Sequence, residues 1–366
     1  MDYPVLLTKK INFPLTYNSG SLGELKVGDI VTVPFGKSEE IGVIWDKKQI
    51  TKKKFKTKTI KKKLNYKLDN KLIKFINSFS AYNLSSKGMA LKMCLGNINN
   101  FKKDEKYFQE KNFNEKNNFK LNFEQKKALD ELLDQNKSFK VSVLQGITGS
   151  GKTHVYFENV KKILRSNNQV LILFPEITLT NQFEKRFKDF FGFKPSVWHS
   201  RVTVKERRKI WQGVSKNKIK VVLGARSALL LPFKSLKLII VDEEHDASYK
   251  QEEGPIYNAR DMAILRSSIE KIPINLISSI PSIETYNNCV NNKYKLIKIN
   301  KRYQNYPLAK TKIVGVNLDN KKNYISEESF KIAKKFLITT IITSILFIVI
   351  YYLSNKGFLN LREYLQ

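Results

Sequence analysis

Eight residues from Gly146 to Thr153, GITGSGKT, repeat the spacing of a loop that holds phosphate: two glycines set apart, then a lysine and a hydroxyl. Gly146, Gly149 and Gly151 free the backbone to turn its N–H groups towards an anion, so that the run including Ile147, Thr148 and Ser150 can wrap a nucleotide's phosphates. Lys152 would neutralise the β and γ oxygens, and the Thr153 hydroxyl is a ligand for Mg²⁺. Ninety residues on, LIIVDEEH (Leu238 to His245) ends an apolar strand in acids. There Asp242 can hold the same Mg²⁺ through water, while Glu243 can polarise an attacking water as general base. Phosphoryl transfer needs both halves, and Lys152, Asp242 and Glu243 are the expected catalytic set. His154, His199 and His245 fall on separate motifs without ligand spacing, which reads as structural histidine.

The elements around these residues suit that chemistry. From 121 to 300 helical stretches alternate with short apolar runs at 141–144, 170–174, 221–224, 238–242 and 275–278. That alternation predicts an α/β fold: a parallel sheet covered by helices on both faces, with ligands at the strands' C-terminal ends. Residues 1 to about 48 read instead as short alternating strands, including Leu25 to Phe35 and Ile41 to Trp45. A lysine run at 47–63 reads as a solvated linker. Asp69 to Tyr82 follows as an amphipathic helix with Leu72, Ile73, Ile76 and Phe79 on one face. Residues 97–120, rich in Asn and Lys without an apolar period, read as a tether.

The chain is long enough, at 366 residues, to bury a core without disulfides, and its two cysteines, Cys94 and Cys289, cannot make a four-cysteine zinc site. Lys+Arg 66 against Asp+Glu 33 leaves a net charge of +33, a field that attracts nucleic acid or anionic lipid, although lysine- and asparagine-rich drift produces the same balance. The N-terminus lacks the basic and apolar regions of a secretory signal, so a cytoplasmic location is expected. Residues 336–353, FLITTIITSILFIVIYYL, carry no charge. They admit three readings: an out-of-frame tail, a membrane anchor flanked by Lys334, Lys335 and Lys356, or a buried apolar segment.

The acids DEEH and the segments around them resemble superfamily 2 helicases, and among those the PriA family of replication-restart helicases. PEITLTNQ (175–182), HSRVTVKERRKIW (199–211), GARSALLLPF (224–233) and DEEHDASYKQEEGPIYNARDMA (242–263) follow that family's order, the last leading into an aromatic-rich loop. The resemblance implies a RecA-like lobe using ATP and Mg²⁺. It casts Gln125 as the adenine-reading glutamine and His245 as a link to the γ-phosphate. It also implies that Arg226 and Ser227 touch the DNA backbone and that Tyr249, Lys250 and Tyr257 couple DNA to ATP, with the tyrosines free to stack on unpaired bases. VGDIVTVPFG (27–36) and IGVIWD (41–46) resemble the family's domain that captures a 3′ end at a fork.

The domains expected are therefore a 3′-end-binding module at 1–96, the linker at 97–120 and an ATP-binding lobe at 121–300. A connection at 301–335, the apolar segment at 336–353 and a tail at 354–366 complete the chain. Departures accompany the resemblance. The linker is too short for the family's winged helix, and SSIPSIE at 278–284 puts Ser279 and Ile280 where Ala and Thr are usual, which weakens the expected coupling. The family's zinc ligands and second lobe, with its arginine fingers, have no counterpart in the chain. The expected activity is that of a 3′-to-5′ helicase or translocase for replication restart, its partners forked DNA and, by resemblance, single-stranded DNA-binding protein and other primosome proteins. ATP binding should persist while unwinding is weak. The alternatives are a non-catalytic, ATP-gated fork-binding module and a membrane-tethered P-loop ATPase.

Overall fold

The computed structural model describes residues 1–47, 57–96, 101, 120–175, 181–302 and 327–355. The chain divides into two compact units, Met1–Tyr306 and Pro307–Gln366. Most of the tether expected at 97–120, part of PEITLTNQ and all of 303–326 lie outside the described residues.

The first unit opens with an antiparallel sheet of β1 (Asp2–Leu7), β2 (Leu15–Asn18), β3 (Asp29–Phe35), β4 (Ser38–Ile44) and β5 (Lys62–Lys67), in the order β2-β1-β4-β3-β5. The last strand begins inside the lysine run, where the linker reading fails. Leu64 and Tyr66 alternate with lysines and turn inward, and Ile60 just ahead of them is buried. Period-two burial outweighs the lysines because their charged ends stay in water. Two helices follow, α1 (Asn70–Tyr82) and α2 (Lys87–Leu95). The Asp69 carboxylate caps α1 by accepting from the Leu72 N–H at 2.7 Å, and the expected apolar face is buried.

Beyond residue 120 a seven-stranded sheet, every pair parallel, has the order β14-β6-β13-β10-β7-β9-β8. Its strands are β6 (Val141–Gly146), β7 (Gln169–Leu173), β8 (Ser196–Trp198), β9 (Val221–Gly224), β10 (Leu236–Asp242), β13 (Ile274–Ser278) and β14 (Lys295–Ile299), while β11 (Lys250–Gln251) and β12 (Tyr257–Asn258) make a separate small ribbon. Five strands match the apolar runs of the sequence. The two edge strands escape that reading: β8 is three residues long, and β14 alternates lysine with isoleucine, so neither is a continuous apolar run. Helices α3 (Phe123–Asp134), α4 (Lys152–Arg165) and α5 (Asn181–Phe191) cover one face, where Val170 and Ile172 point; α6 (Val204–Ser215) and α7 (Ala259–Glu270) cover the other with Leu171 and Leu173. The short α8 (Ile283–Val290) precedes β14. On that second face the core is shared with the N-terminal module, whose Phe75, Phe79 and Leu91 join Trp211, Met262 and Tyr257 in one apolar cluster.

In the second unit α9 (Glu327–Asn355) contains the apolar segment, and every side chain described along it is exposed, contrary to the buried reading. Among the described residues no helix is long and apolar enough to cross a membrane, so the anchor reading gains nothing from them.

Candidate active site

Strand β6 delivers the phosphate loop and α4 starts on its lysine, the strand–loop–helix order that aims backbone N–H groups and a helix N-terminus at one place. Gly151 caps α4 at φ +78°, and a β-carbon there would lie 2.3 Å from Gln125 Nε2; one on Gly146 would lie 2.5 Å from Ser150 Oγ. The left-handed φ of Gly151 favours glycine, and a β-carbon on either residue would crowd a neighbouring side chain. Thr148 and Gly149 form the exposed tip, Ile147 is half-buried and Ser150 is buried. The Lys152 ammonium donates to the Gly146 carbonyl at 2.7 Å. Burial lowers its pKa, against the pull of Glu243 and Asp242.

Two strands away, Asp242 ends β10. Its Oδ2 accepts from the Tyr156 hydroxyl at 2.9 Å and its Oδ1 from the Glu243 N–H at 3.1 Å. Tyr156 stands on α4 one helical turn after Thr153, so its bond to Asp242 ties the helix that follows the loop to the acids. Burial first, then Glu243, push the Asp242 carboxyl up to about 6, with the Tyr156 and Glu243 bonds opposing. Glu243 adopts φ +47°, a backbone conformation that glutamate rarely takes and that turns the chain sharply after the strand.

A second network ties the acid turn to the segment after β13. The buried Glu244 carboxylate accepts from the Ser282 N–H (2.8 Å), the Thr285 hydroxyl (2.9 Å) and Arg260 Nη1 (3.3 Å), and His245 Nδ1 is 2.8 Å from Ser278 Oγ. Sequence reasoning missed Tyr156, Arg260, Ser282, Thr285 and the role of Glu244. Tyr156 stands one helical turn after Thr153, a position that an ordinary core tyrosine could equally occupy.

The structure places three of the expected site residues inside the protein. Gln125 is completely buried: its Nε2 donates to the Ser150 carbonyl at 2.9 Å, and its Oε1 accepts from the Asn122 N–H at 3.0 Å. Those bonds brace the loop and cap α3, so the amide is engaged inside the protein. Tyr249 and Tyr257 are 1% and 3% exposed and unavailable for stacking on bases. The Tyr249 oxygen lies 2.5 Å from the Asp242 carbonyl oxygen and 3.0 Å from that of Leu173, and Tyr257 packs edge-on against Phe79 at 5.0 Å. Both are buried because the loop folds back over the sheet edge. Arg226 Nη1 donates to the Lys250 carbonyl at 2.8 Å, while Ser227 Oγ accepts from Trp198 Nε1 at 3.1 Å. The Lys250 side chain is exposed.

The donor set fits a magnesium-bound triphosphate: a glycine cradle that any β-carbon would close, a hydroxyl and a carboxylate brought together, and a lysine at the loop's helix end. Among the described residues no group of three or more His, Cys, Asp and Glu side chains could hold a metal, and both cysteines are free and buried.

Comparison with known proteins agrees with this geometry. Residues 118–280 match the family described as Type III restriction enzyme, res subunit, and residues 4–96 match the 3′DNA-binding domain (3′BD) of PriA. The parallel sheet with its phosphate loop is a RecA-like lobe, preceded by a small β-rich module that matches the 3′DNA-binding domain. The replication restart protein PriA of Rickettsia conorii is 40% identical over 329 residues, covering 88% of this chain and 50% of its own. That of Bacillus subtilis is 35% identical over 231 residues, 62% of this chain and 29% of its own. The chain belongs to the PriA family of replication restart proteins, and it spans about half the length of the Rickettsia relatives it matches. The helicase domain of Pyrococcus furiosus Hef is 17% identical, with a TM-score of 0.37, over 50% of this chain and 38% of that one.

Proposed function

We propose that this chain binds ATP with Mg²⁺ between the loop at 146–153 and the acids at 242–243, and hydrolyses it when forked DNA engages its basic surface. The bond from Tyr156 on α4 to Asp242 carries the reading, since it joins two motifs far apart in sequence around one site. Lys152 and the loop N–H groups would hold the phosphates, and Glu243 would orient and deprotonate the attacking water. Bound Mg²⁺ would neutralise phosphate charge as it shifts towards the leaving group.

The proposed setting is replication restart: recognition of a 3′ end by residues 4–96, translocation in the 3′-to-5′ direction, and contact with single-stranded DNA-binding protein and primosome proteins. Arg226 and Lys250 are the proposed DNA contacts on the lobe. Tyr249 and Tyr257 would act from within, by supporting the loop that presents Lys250.

DNA-stimulated ATP hydrolysis by the full chain, at low salt and with a fork bearing a free 3′ end, tests the reading. Turnover that rises with DNA and falls at least 100-fold in Lys152→Ala and Glu243→Gln supports it. Nucleotide uptake with turnover no faster than Glu243→Gln would leave an ATP-gated fork-binding module, and no uptake at millimolar nucleotide removes the enzyme altogether.

A further inference from the structure

We infer that Tyr156 is a positioning residue for the divalent cation: its phenol orients the proposed metal-facing carboxylate of Asp242 and thereby sets how much metal nucleotide binding requires. This rests on the nucleotide site proposed above. Tyr156 sits on α4 three residues after Thr153, is completely buried, and directs its hydroxyl at Asp242 Oδ2 across 2.9 Å. A carboxylate swings easily about its last torsion, so a fixed donor on one oxygen decides which lone pairs face the loop.

The proton inventory gives the arrangement its direction. The phenol carries one hydrogen and directs it at Asp242 Oδ2, so that oxygen's remaining lone pairs are the ones left to face a cation. The Asp242 main chain is held through its carbonyl contact with Tyr249, and its Oδ1 accepts from the Glu243 N–H. Tyr156 supplies the second point that fixes the carboxylate, on Oδ2.

Groups that orient metal ligands in this way commonly change metal affinity 10–100-fold when removed. Tyr156→Phe keeps the ring in its aromatic cluster with Phe157 and deletes only the oxygen. Binding of a fluorescent ADP analogue to the full chain, titrated with Mn²⁺ and followed in parallel by the Mn²⁺ electron paramagnetic resonance signal, gives a readout independent of turnover. The expected result is a half-saturating Mn²⁺ concentration raised about 10-fold, with metal-free nucleotide affinity unchanged and a melting temperature within a few degrees of the parent. The same Mn²⁺ requirement in variant and parent overturns the inference while leaving the nucleotide site intact. Failure of the parent itself to bind nucleotide overturns the site on which the inference rests. Should Tyr156→Phe not fold, Tyr156→Met, which likewise cannot donate to Asp242, is titrated in the same way: a raised Mn²⁺ requirement supports the role, and the parental requirement in a folded protein refutes it.

Discussion

Asp242 combines two demands that conflict in the absence of a cation. Burial and the neighbouring Glu243 raise its carboxyl from 3.8 to about 6. A carboxyl that binds its proton more tightly in the folded than in the unfolded chain adds stability fully present below about 3.8. That stability is lost as pH rises through about 6. Nucleotide-free protein should therefore melt at progressively lower temperature from pH 4 to 6.5, and Asp242→Asn should flatten that slope and raise stability at pH 7.5 by on the order of 2–3 kcal/mol. Melting curves at the two ends of the range decide it; an Asn variant with the parent's slope would show that another group titrates. The loop of GITGSGKT and the acids of DEEH were legible in the sequence because their chemistry needs fixed residue types at fixed spacing. Tyr156 was not, because a tyrosine in an apolar helix face is indistinguishable from ordinary core until β10 is seen beside it.

At the scale of elements, the turn after β10 is held by charge buried in its next residue. Glu244 and Arg260 side chains are 0% and 10% exposed, and the same carboxylate gathers Ser282 and Thr285. Removing one side of a buried pair strands the other, so Glu244→Ala should cost about 3–5 kcal/mol in urea unfolding. Ser282→Ala, which loses the α8 cap and one bond to Glu244, should cost about 1 kcal/mol. The pair of costs separates a clamp from a mere surface turn. Replacing the family's Ala and Thr by Ser279 and Ile280 leaves this clamp untouched, since Ser278 and Ser282 make its contacts and Ile280 is exposed. Arg226 and the Lys250 backbone brace each other across the mouth of the sheet. Arg226→Ala should weaken fork binding about uniformly across sequences and lower its salt dependence by about one phosphate contact, measured by fluorescence anisotropy over a salt series.

Over the whole of residues 1–306, the antiparallel module and the parallel-sheet lobe share a core. Trp211 of α6 donates from Nε1 to the Cys94 carbonyl at 2.7 Å and meets Tyr66 of β5 edge-on at 5.4 Å, while Lys71 of α1 pairs with Glu270 of α7 at 3.4 Å. The aliphatic and aromatic contacts carry this junction, since a half-exposed ion pair contributes little. Trp211→Ala should therefore destabilise the protein by about 3–5 kcal/mol and lower the unfolding of both parts together. Calorimetry of the full chain should show one transition for residues 1–306; two transitions, with only one shifted by the variant, would refute the shared core. The sequence offered two modules joined by a tether and no hint of this contact, because apolar faces on α1 and α6 state that they are buried but not against what.

The residues by themselves determined the reading of a phosphate loop, an acid turn and a parallel sheet, because catalysis and strand burial both leave short-range patterns. Only the tertiary structure decided that Gln125 braces the loop, that Tyr249 and Tyr257 point inward, and that Tyr156 donates to Asp242. These are matters of which side chains meet across strands and helices distant in sequence. Their partners are chosen by packing, which leaves no spacing rule along the chain to read.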